Sequence, residues 1–183
     1  AKILVGLYLP EDGVIQLDGQ EVGDDCREAY RQLFSVVFSS PYVFESLLGV
    51  AKPRLDEAAA YLKMLQLDRK VQVRDGALST VELSQGQRKR LALLAALLDD
   101  RSIYLFDEWA ADQDPTFKRF FYHEIIPGLI ARGKTVLVIT HDDRYFDVAD
   151  RIIKLESGQI EAEVRSEALL VDQTGQPRRG DSV

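Results

Sequence analysis

One cysteine, Cys26, stands in this chain of 183 residues. No internal disulfide framework can form, and the chain suits a reducing compartment. Cys26 itself reads as a small half-buried side chain. Long apolar runs are also lacking. The longest, LALLAALL over 91–98, falls far short of the roughly 20 residues a membrane-spanning helix needs. No charged-then-apolar leader opens the sequence, and no internal repeat divides it. Basic residues are outnumbered, 23 Lys and Arg against 30 Asp and Glu, for a formal charge of −7. That balance makes a poor general nucleic-acid binder. The clusters RKR (88–90) and RR (178–179) are short and read as solvated surface. The two histidines, His123 and His141, lack the spaced ligands a metal centre would need.

Hydrophobic residues make up 46% of the chain, enough for one globular domain with a real core. The chain opens at Ala1 inside an apolar segment, AKILVGLYL, with no residue before it to cap a helix. It reads as the end of a helix whose beginning lies elsewhere. GVIQLDG (13–19) alternates between glycines and predicts a strand. DCREAYRQL (25–33) predicts a helix leading into a short strand, FSVVF (34–38). Residues 42–98 carry helical patterning: RLDEAAAYLKMLQL (54–67) is rich in helix formers. SQGQRKRLALLAALLDD (84–100) opens with Ser84 as N-cap and Gln87 three residues on, a capping box.

Beyond residue 98 apolar strands alternate with helices. SIYLF (102–106) is a strand that stops at two acids, and 114–133 is a helix with Asp114 as cap, Pro115 in its first turn and Gly133 at its end. KTVLVIT (134–140) predicts a buried strand, 142–150 a helix, and 151–164 a hairpin turning near Gly158. From about Arg165 the chain is polar and reads as a loose tail. The whole predicts an α/β fold with a mainly parallel sheet covered by helices. GLIARGKT (128–135) matches the phosphate-loop pattern by letter. A phosphate loop needs a strand before it and a helix after it; here the order is reversed, so the match is accidental.

Three stretches carry chemistry. In SIYLFDEWAADQDP (102–115), Asp107 and Glu108 end an apolar strand, at the sheet edge where α/β proteins bind ligands. One acid can serve Mg²⁺ while the next polarises a water; an ordinary strand-end turn with solvated acids fits the stretch as well. In LSQGQRKR (83–90), Ser84 and Gly86 begin a helix, where N–H groups and the positive dipole end can meet an anion; a plain capped helix also fits. In ITHDD (139–143), His141 follows a buried strand and could contact a phosphate or be structural.

Taken in order, LSQGQ, LFDE and ITHD match the second half of an ABC-type ATPase, and the sequence resembles the nucleotide-binding domain of ABC transporters over residues 1 to about 163. Within that superfamily, LSQGQRKRLALLAALLDDR, FDEWAADQDP, FYHEIIPGL and THDDRYFDVAD resemble the cyclic-peptide and siderophore-peptide exporters. The resemblance implies a P-loop NTPase-like α/β core at 1–41 and 99–163, a helical signature subdomain at 42–98 and a flexible tail at 164–183. It implies ATP and Mg²⁺ as cofactors. Ser84, Gly86 and Gln87 match the signature motif that contacts ATP bound to the opposite subunit. Asp107 matches the Walker B aspartate near Mg²⁺, Glu108 the catalytic base, Asp114 the acid of the D-loop, and His141 the switch histidine. The implied partners are a second ATPase subunit, head to tail, and the transmembrane domain of the same parent chain. No nucleic-acid partner is implied. The implied location is the cytoplasmic face of a bacterial inner membrane.

Two departures stand out. FSSPYVF (38–44) aligns with the loop that carries a metal-contacting glutamine, and Ser39 falls at that position, which implies a weaker or water-mediated contact. The phosphate loop, the adenine-stacking aromatic and the membrane part have no counterpart here, so the expectation is a fragment of a longer protein that alone binds ATP very weakly and is inactive. A soluble ABC-type ATPase acting on chromosomes or in DNA repair and a non-catalytic orphan fragment are the rival readings.

Overall fold

In the computed structural model, the described residues are 1–47 and 52–165. They fall into two compact units, one spanning Ala1–Thr140 and one beginning at His141.

The first unit is organised on a parallel sheet. Strands β3 (Phe34–Val37), β6 (Ile103–Asp107) and β7 (Thr135–Ile139) pair in the order β3-β6-β7, all parallel. Central β6 is buried on both faces, with Tyr104, Leu105 and Phe106 at 0% exposure, which is why it reads as a continuous apolar run rather than an alternating one. Strand β7 departs from expectation. Thr135 and Ile139 are exposed and 136–138 only half-buried, because β7 has a described partner on one side only.

Helix α4 (Gln85–Asp99) packs beside β3 and buries Leu91, Leu93, Leu94, Leu97 and Leu98. Its start is the expected capping box: Gln87 N–H donates to Ser84 Oγ, and Ser84 N–H donates to the Gln87 side chain. Its end is Asp100 in the left-handed region. The helix predicted over 114–133 forms, capped by the Phe117 N–H bond to Asp114 Oδ1 at 2.9 Å. It runs as α5 (Pro115–Phe120), a π-helical turn (Phe121–Ile125) and α6 (Ile126–Ala131), ending at Gly133 with φ +74°. Pro127 sits in the first turn of α6 and has no N–H to donate, which accompanies the widened turn before it.

The remaining elements are short. Residues 1–7 make one helical turn closed by a Schellman pair, Gly6 N–H to Ile3 O and Leu7 N–H to Lys2 O, with Gly6 at φ +75°. Tyr30 of α1 (Arg27–Arg31) holds that turn by donating to Leu4 O at 2.6 Å. The strand predicted over 13–19 is instead a small hairpin, β1 (Gln16–Leu17) and β2 (Gln20–Glu21), because Asp18-Gly19 both take positive φ and form its turn. In the helical stretch, α2 (Lys52–Leu55) and α3 (Ala58–Met64) are separate, and a hairpin of β4 (Val73–Arg74) and β5 (Ala77–Leu78) interrupts the pattern. No helix among the described residues is long and apolar enough to cross a membrane.

In the second unit, Asp143–Val148 is 3-10 rather than α-helix, broken at Tyr145. The predicted hairpin forms between β8 (Arg151–Glu156) and β9 (Gln159–Arg165), and Ser157-Gly158 turn it with positive φ. The sequence predicts a tail from 164, but Val164 and Arg165 pair with Ile152 and Arg151 and close β9; the rest of the predicted tail lies outside the described residues.

Candidate functional site

Because β3, β6 and β7 are parallel, their C-terminal ends share one edge. Register places Val37 of β3 opposite Phe106, and Asp107 opposite Ile139. Half-buried Ser39 follows β3 by two residues, Asp107 ends β6 and Glu108 follows it, both half-buried. Glu108 takes the left-handed conformation (φ +50°, ψ +29°), rare for a residue with a side chain. Its N–H donates to Ile139 O at 2.9 Å. The chain then tightens into a 3-10 turn, Trp109–Asp112.

That turn packs on the start of α4. Gly86 approaches it so closely that an added Cβ would stand 2.8 Å from the backbone oxygen of Asp112. Gln113, 6% exposed, donates its side-chain N–H to Gly86 O at 3.0 Å. Gln85 donates to Asp112 at 3.1 Å, and the Trp109 indole donates to Lys89 O at 2.8 Å. Lys89 Nζ reaches Glu108 O at 3.0 Å and Asp112 Oδ2 at 2.7 Å. Arg90 donates to Gln113 Oε1 (2.8 Å) and Asp114 Oδ2 (2.7 Å), with its guanidinium 3.6 Å from the Phe117 ring centroid. The Asp114 carboxyl is held below its ordinary range, first by the Phe117 N–H and then by Arg90, against the opposing effect of burial.

The structure therefore packs the helix start that carries Gly86 onto the segment from Glu108 to Asp114, through Gln85, Lys89 and Arg90; Ser84 and Gln87 bond to each other at the cap, and Asp107 ends the strand before the segment. Ser39 lies past the end of the neighbouring strand. His141 opens the second unit, directly after Thr140, whose hydroxyl shares a hydrogen bond with Tyr122 at 3.2 Å. The RKR cluster is not the solvated surface its charge suggested. Arg88 is exposed, but Lys89 is 2% exposed and Arg90 half-buried. The available signal was helical phase: Lys89 lies three residues after Gly86 and four before buried Leu93, on the inward face. Lys134 of the accidental phosphate-loop pattern is engaged elsewhere. It donates to Asp100 O at 3.0 Å and pairs with Asp100 Oδ1 at 3.2 Å, tying the start of β7 to the end of α4.

A groove of about 510 Å³ lies on the other side of α4, lined among others by Phe34, Phe38, Tyr42, Phe44, Leu91 and Ala95. Tyr42 and Phe44 pack edge to face at 4.8 Å while remaining largely exposed.

A parallel sheet carrying paired carboxylates at its C-terminal edge, packed on a capped helix beginning SQGQ, defines an ATP-binding-cassette domain. The chain belongs to the ABC transporter family, whose sequence profile matches residues 1–111. It is 54% identical over 169 residues to the ATP-binding protein SyrD of Pseudomonas syringae pv. syringae, covering 90% of this chain and 30% of that protein. It is 28% identical over 190 residues to a lactococcin transport/processing ATP-binding protein, LcnC-like, of Lactococcus lactis subsp. lactis, covering 95% of this chain and 26% of that protein. The chain thus spans under a third of the length of either relative. The fold matches a dimeric ATP-binding cassette solved in a post-hydrolysis state bound to ADP and Pi, with TM-score 0.71 and 24% identity, over 90% of this chain and 78% of that one.

Proposed function

We propose that this chain is the greater part of the nucleotide-binding domain of an ABC exporter that hydrolyses ATP to move a peptide-like compound, cyclic-peptide or siderophore-like, out of a bacterial cell. The observation that carries the reading is the packing of the Asp107–Asp114 segment onto the capped start of α4, which joins two of the family's motifs in one rigid cluster. Glu108 is the general base that takes a proton from the attacking water, and His141 contacts the γ-phosphate. Ser84, Gly86 and Gln87 stand at the start of a fifteen-residue helix, whose positive dipole end meets the phosphates of ATP bound by a second subunit, set head to tail. Gly86 lets the Asp112 backbone rest directly on the helix start, and Asp114 keeps the segment in place through Arg90.

The donor set fits Mg²⁺. Carboxylate and hydroxyl oxygens are hard ligands of the kind Mg²⁺ takes, and Asp107 and Ser39 are both half-buried, at or just past the ends of neighbouring strands. Asp107 would hold the ion, with Ser39 assisting through water. The ion, when bound, supplies charge neutralisation on the transferred phosphoryl group.

Residues 42–98 form the helical subdomain that couples to the transmembrane domain of the parent chain, at the cytoplasmic face of the inner membrane. The apolar groove carrying Tyr42 and Phe44 supports this role, being large enough to seat a helix end. The core comprises 1–41 and 99–163. Peptide cargo is supported by the likeness to the lactococcin transport protein.

The test is single-turnover hydrolysis beside nucleotide binding, on the reconstituted full-length protein. Glu108→Gln keeps ATP binding and lowers turnover by roughly 10²–10⁴-fold, since the amide cannot accept the proton. Asp107→Asn weakens Mg²⁺-dependent binding as well. Turnover by Glu108→Gln at near the parent rate would remove Glu108 from its role.

A further inference from the structure

Lys89 is the only charged side chain buried among the described residues. A buried ammonium is unfavourable unless it is paired, and a paired one seldom improves on an apolar side chain of the same volume. Leucines fill most of the inward face of α4, so packing alone does not call for lysine there. The distinctive feature is what Lys89 touches. Its Nζ donates to the backbone oxygen of Glu108 at 3.0 Å, and Asp112 Oδ2 at 2.7 Å compensates its charge. The same carbonyl accepts the Ala111 N–H at 3.2 Å, and the Glu108 N–H is held by Ile139 O at 2.9 Å. Both backbone polar groups of Glu108 are therefore fixed, one by β7 and one by α4, at a residue in the left-handed conformation. Such a conformation persists where its surroundings over-determine it. The backbone torsions of Glu108 set the direction in which its carboxylate leaves the sheet edge. The Trp109 indole, bonded to Lys89 O at 2.8 Å, braces the clamp from the lysine's own backbone.

We propose that Lys89 is a positioning residue for the Glu108 carboxylate: its ammonium fixes the Glu108 peptide oxygen and so aims the side chain, while Asp112 keeps the lysine charged in place. The inference rests on reading Glu108 as the base. It assigns a role in turnover to a side chain that is 2% exposed.

The experiment uses the full-length protein and measures kcat and KM for MgATP together with the thermal midpoint. Lys89→Met keeps the volume and removes the donor. The expected result is a kcat lower by roughly 10–100-fold, the scale of an ångström-sized misplacement of a reacting group, with KM within about twofold. The double variant Lys89→Met/Asp112→Asn, which strands no charge, is expected to recover the thermal midpoint but not kcat. It also carries the test if Lys89→Met alone folds poorly. Placed on Glu108→Gln, Lys89→Met is expected to leave the residual rate unchanged, since there is no base left to aim. Three outcomes would overturn the proposal: kcat within twofold of the parent in Lys89→Met, recovery of kcat together with the midpoint in the double variant, or a further loss on the Glu108→Gln background. Near-parent turnover by Glu108→Gln would instead remove the underlying reading of Glu108, a result that does not depend on Lys89.

Discussion

Replacing Gly86 with alanine sets two effects of known sign against each other. Gly86 is the second residue of α4, and alanine is the better helix former by roughly 0.5–1 kcal/mol. Propensity alone therefore predicts stabilisation. The new Cβ, however, would stand 2.8 Å from the Asp112 backbone oxygen and 3.7 Å from Gln113 Nε2. The carbonyl cannot retreat freely, because the Asp112 side chain is held by Gln85 at 3.1 Å and by Lys89 at 2.7 Å. Forcing an extra carbon into so close a contact costs about 1–3 kcal/mol. At the centre of the two ranges contact wins over propensity, about 2 against about 0.75 kcal/mol, leaving a net loss of about 1 kcal/mol. For a chain of this size that lowers the thermal midpoint by roughly 2–4 °C. Thermal unfolding followed by circular dichroism measures it, with Gly128→Ala as the internal control. Gly128 is also helical but has nothing within 4 Å of a built Cβ, so that variant is expected to hold or raise the midpoint. A raised midpoint in Gly86→Ala would refute the reasoning, because the segment at 109–113 could then not be resting on the helix as described.

Two further predictions concern the far end of α4. Lys134→Met removes an ammonium from the partly buried Asp100 and is expected to cost about 1–3 kcal/mol; nucleotide affinity of the full-length protein, read by calorimetry, is expected not to change, and a large loss would revive the phosphate-loop reading of GLIARGKT. Burial alone would raise the Asp100 carboxyl, but the Lys134 hydrogen bond, then the charges of Lys134, Arg54 and Arg132, outweigh it and leave the group below its ordinary range. A carboxyl depressed on folding contributes stability that is present above its unfolded value of about 3.9 and is lost as pH falls through the lower folded value. Denaturant titrations below about pH 4 should therefore show a steeper loss in the parent than in Asp100→Asn, and identical slopes would contradict the assignment.

Local signals were legible at the level of single residues. The Ser84–Gln87 capping box, the Asp114 cap with Pro115 and the Gly133 stop depend on neighbours a few positions apart, and each stands where the sequence predicts it. Topology was legible for the same reason: the flanks of GLIARGKT give helix then strand, and the structure has α6 then β7. Features set by distant partners were not. The exposure of β7 depends on what pairs beside it, and the inward course of Lys89 on what lies across from α4. A charged run with its middle member buried carries no composition signal, only a phase signal within the helix. The break between α2 and α3 and the hairpin at 73–78 are hidden by good helix formers around them, since propensity is a weak prior against tertiary packing. The Asp18-Gly19 turn was readable and was obscured by the alternating pattern around it.

The chain contains one tryptophan, and it stands where the turn after β6 packs on α4. Trp109 is 1% exposed, its indole lies 4.3 Å from the Phe121 ring, and its N–H is bonded within the protein. Its ultraviolet emission therefore comes from a dry, aromatic setting and responds to any displacement that admits water between α4 and the turn after β6. The molecule carries its own optical gauge at this junction, readable without a label, on the timescale at which the junction moves.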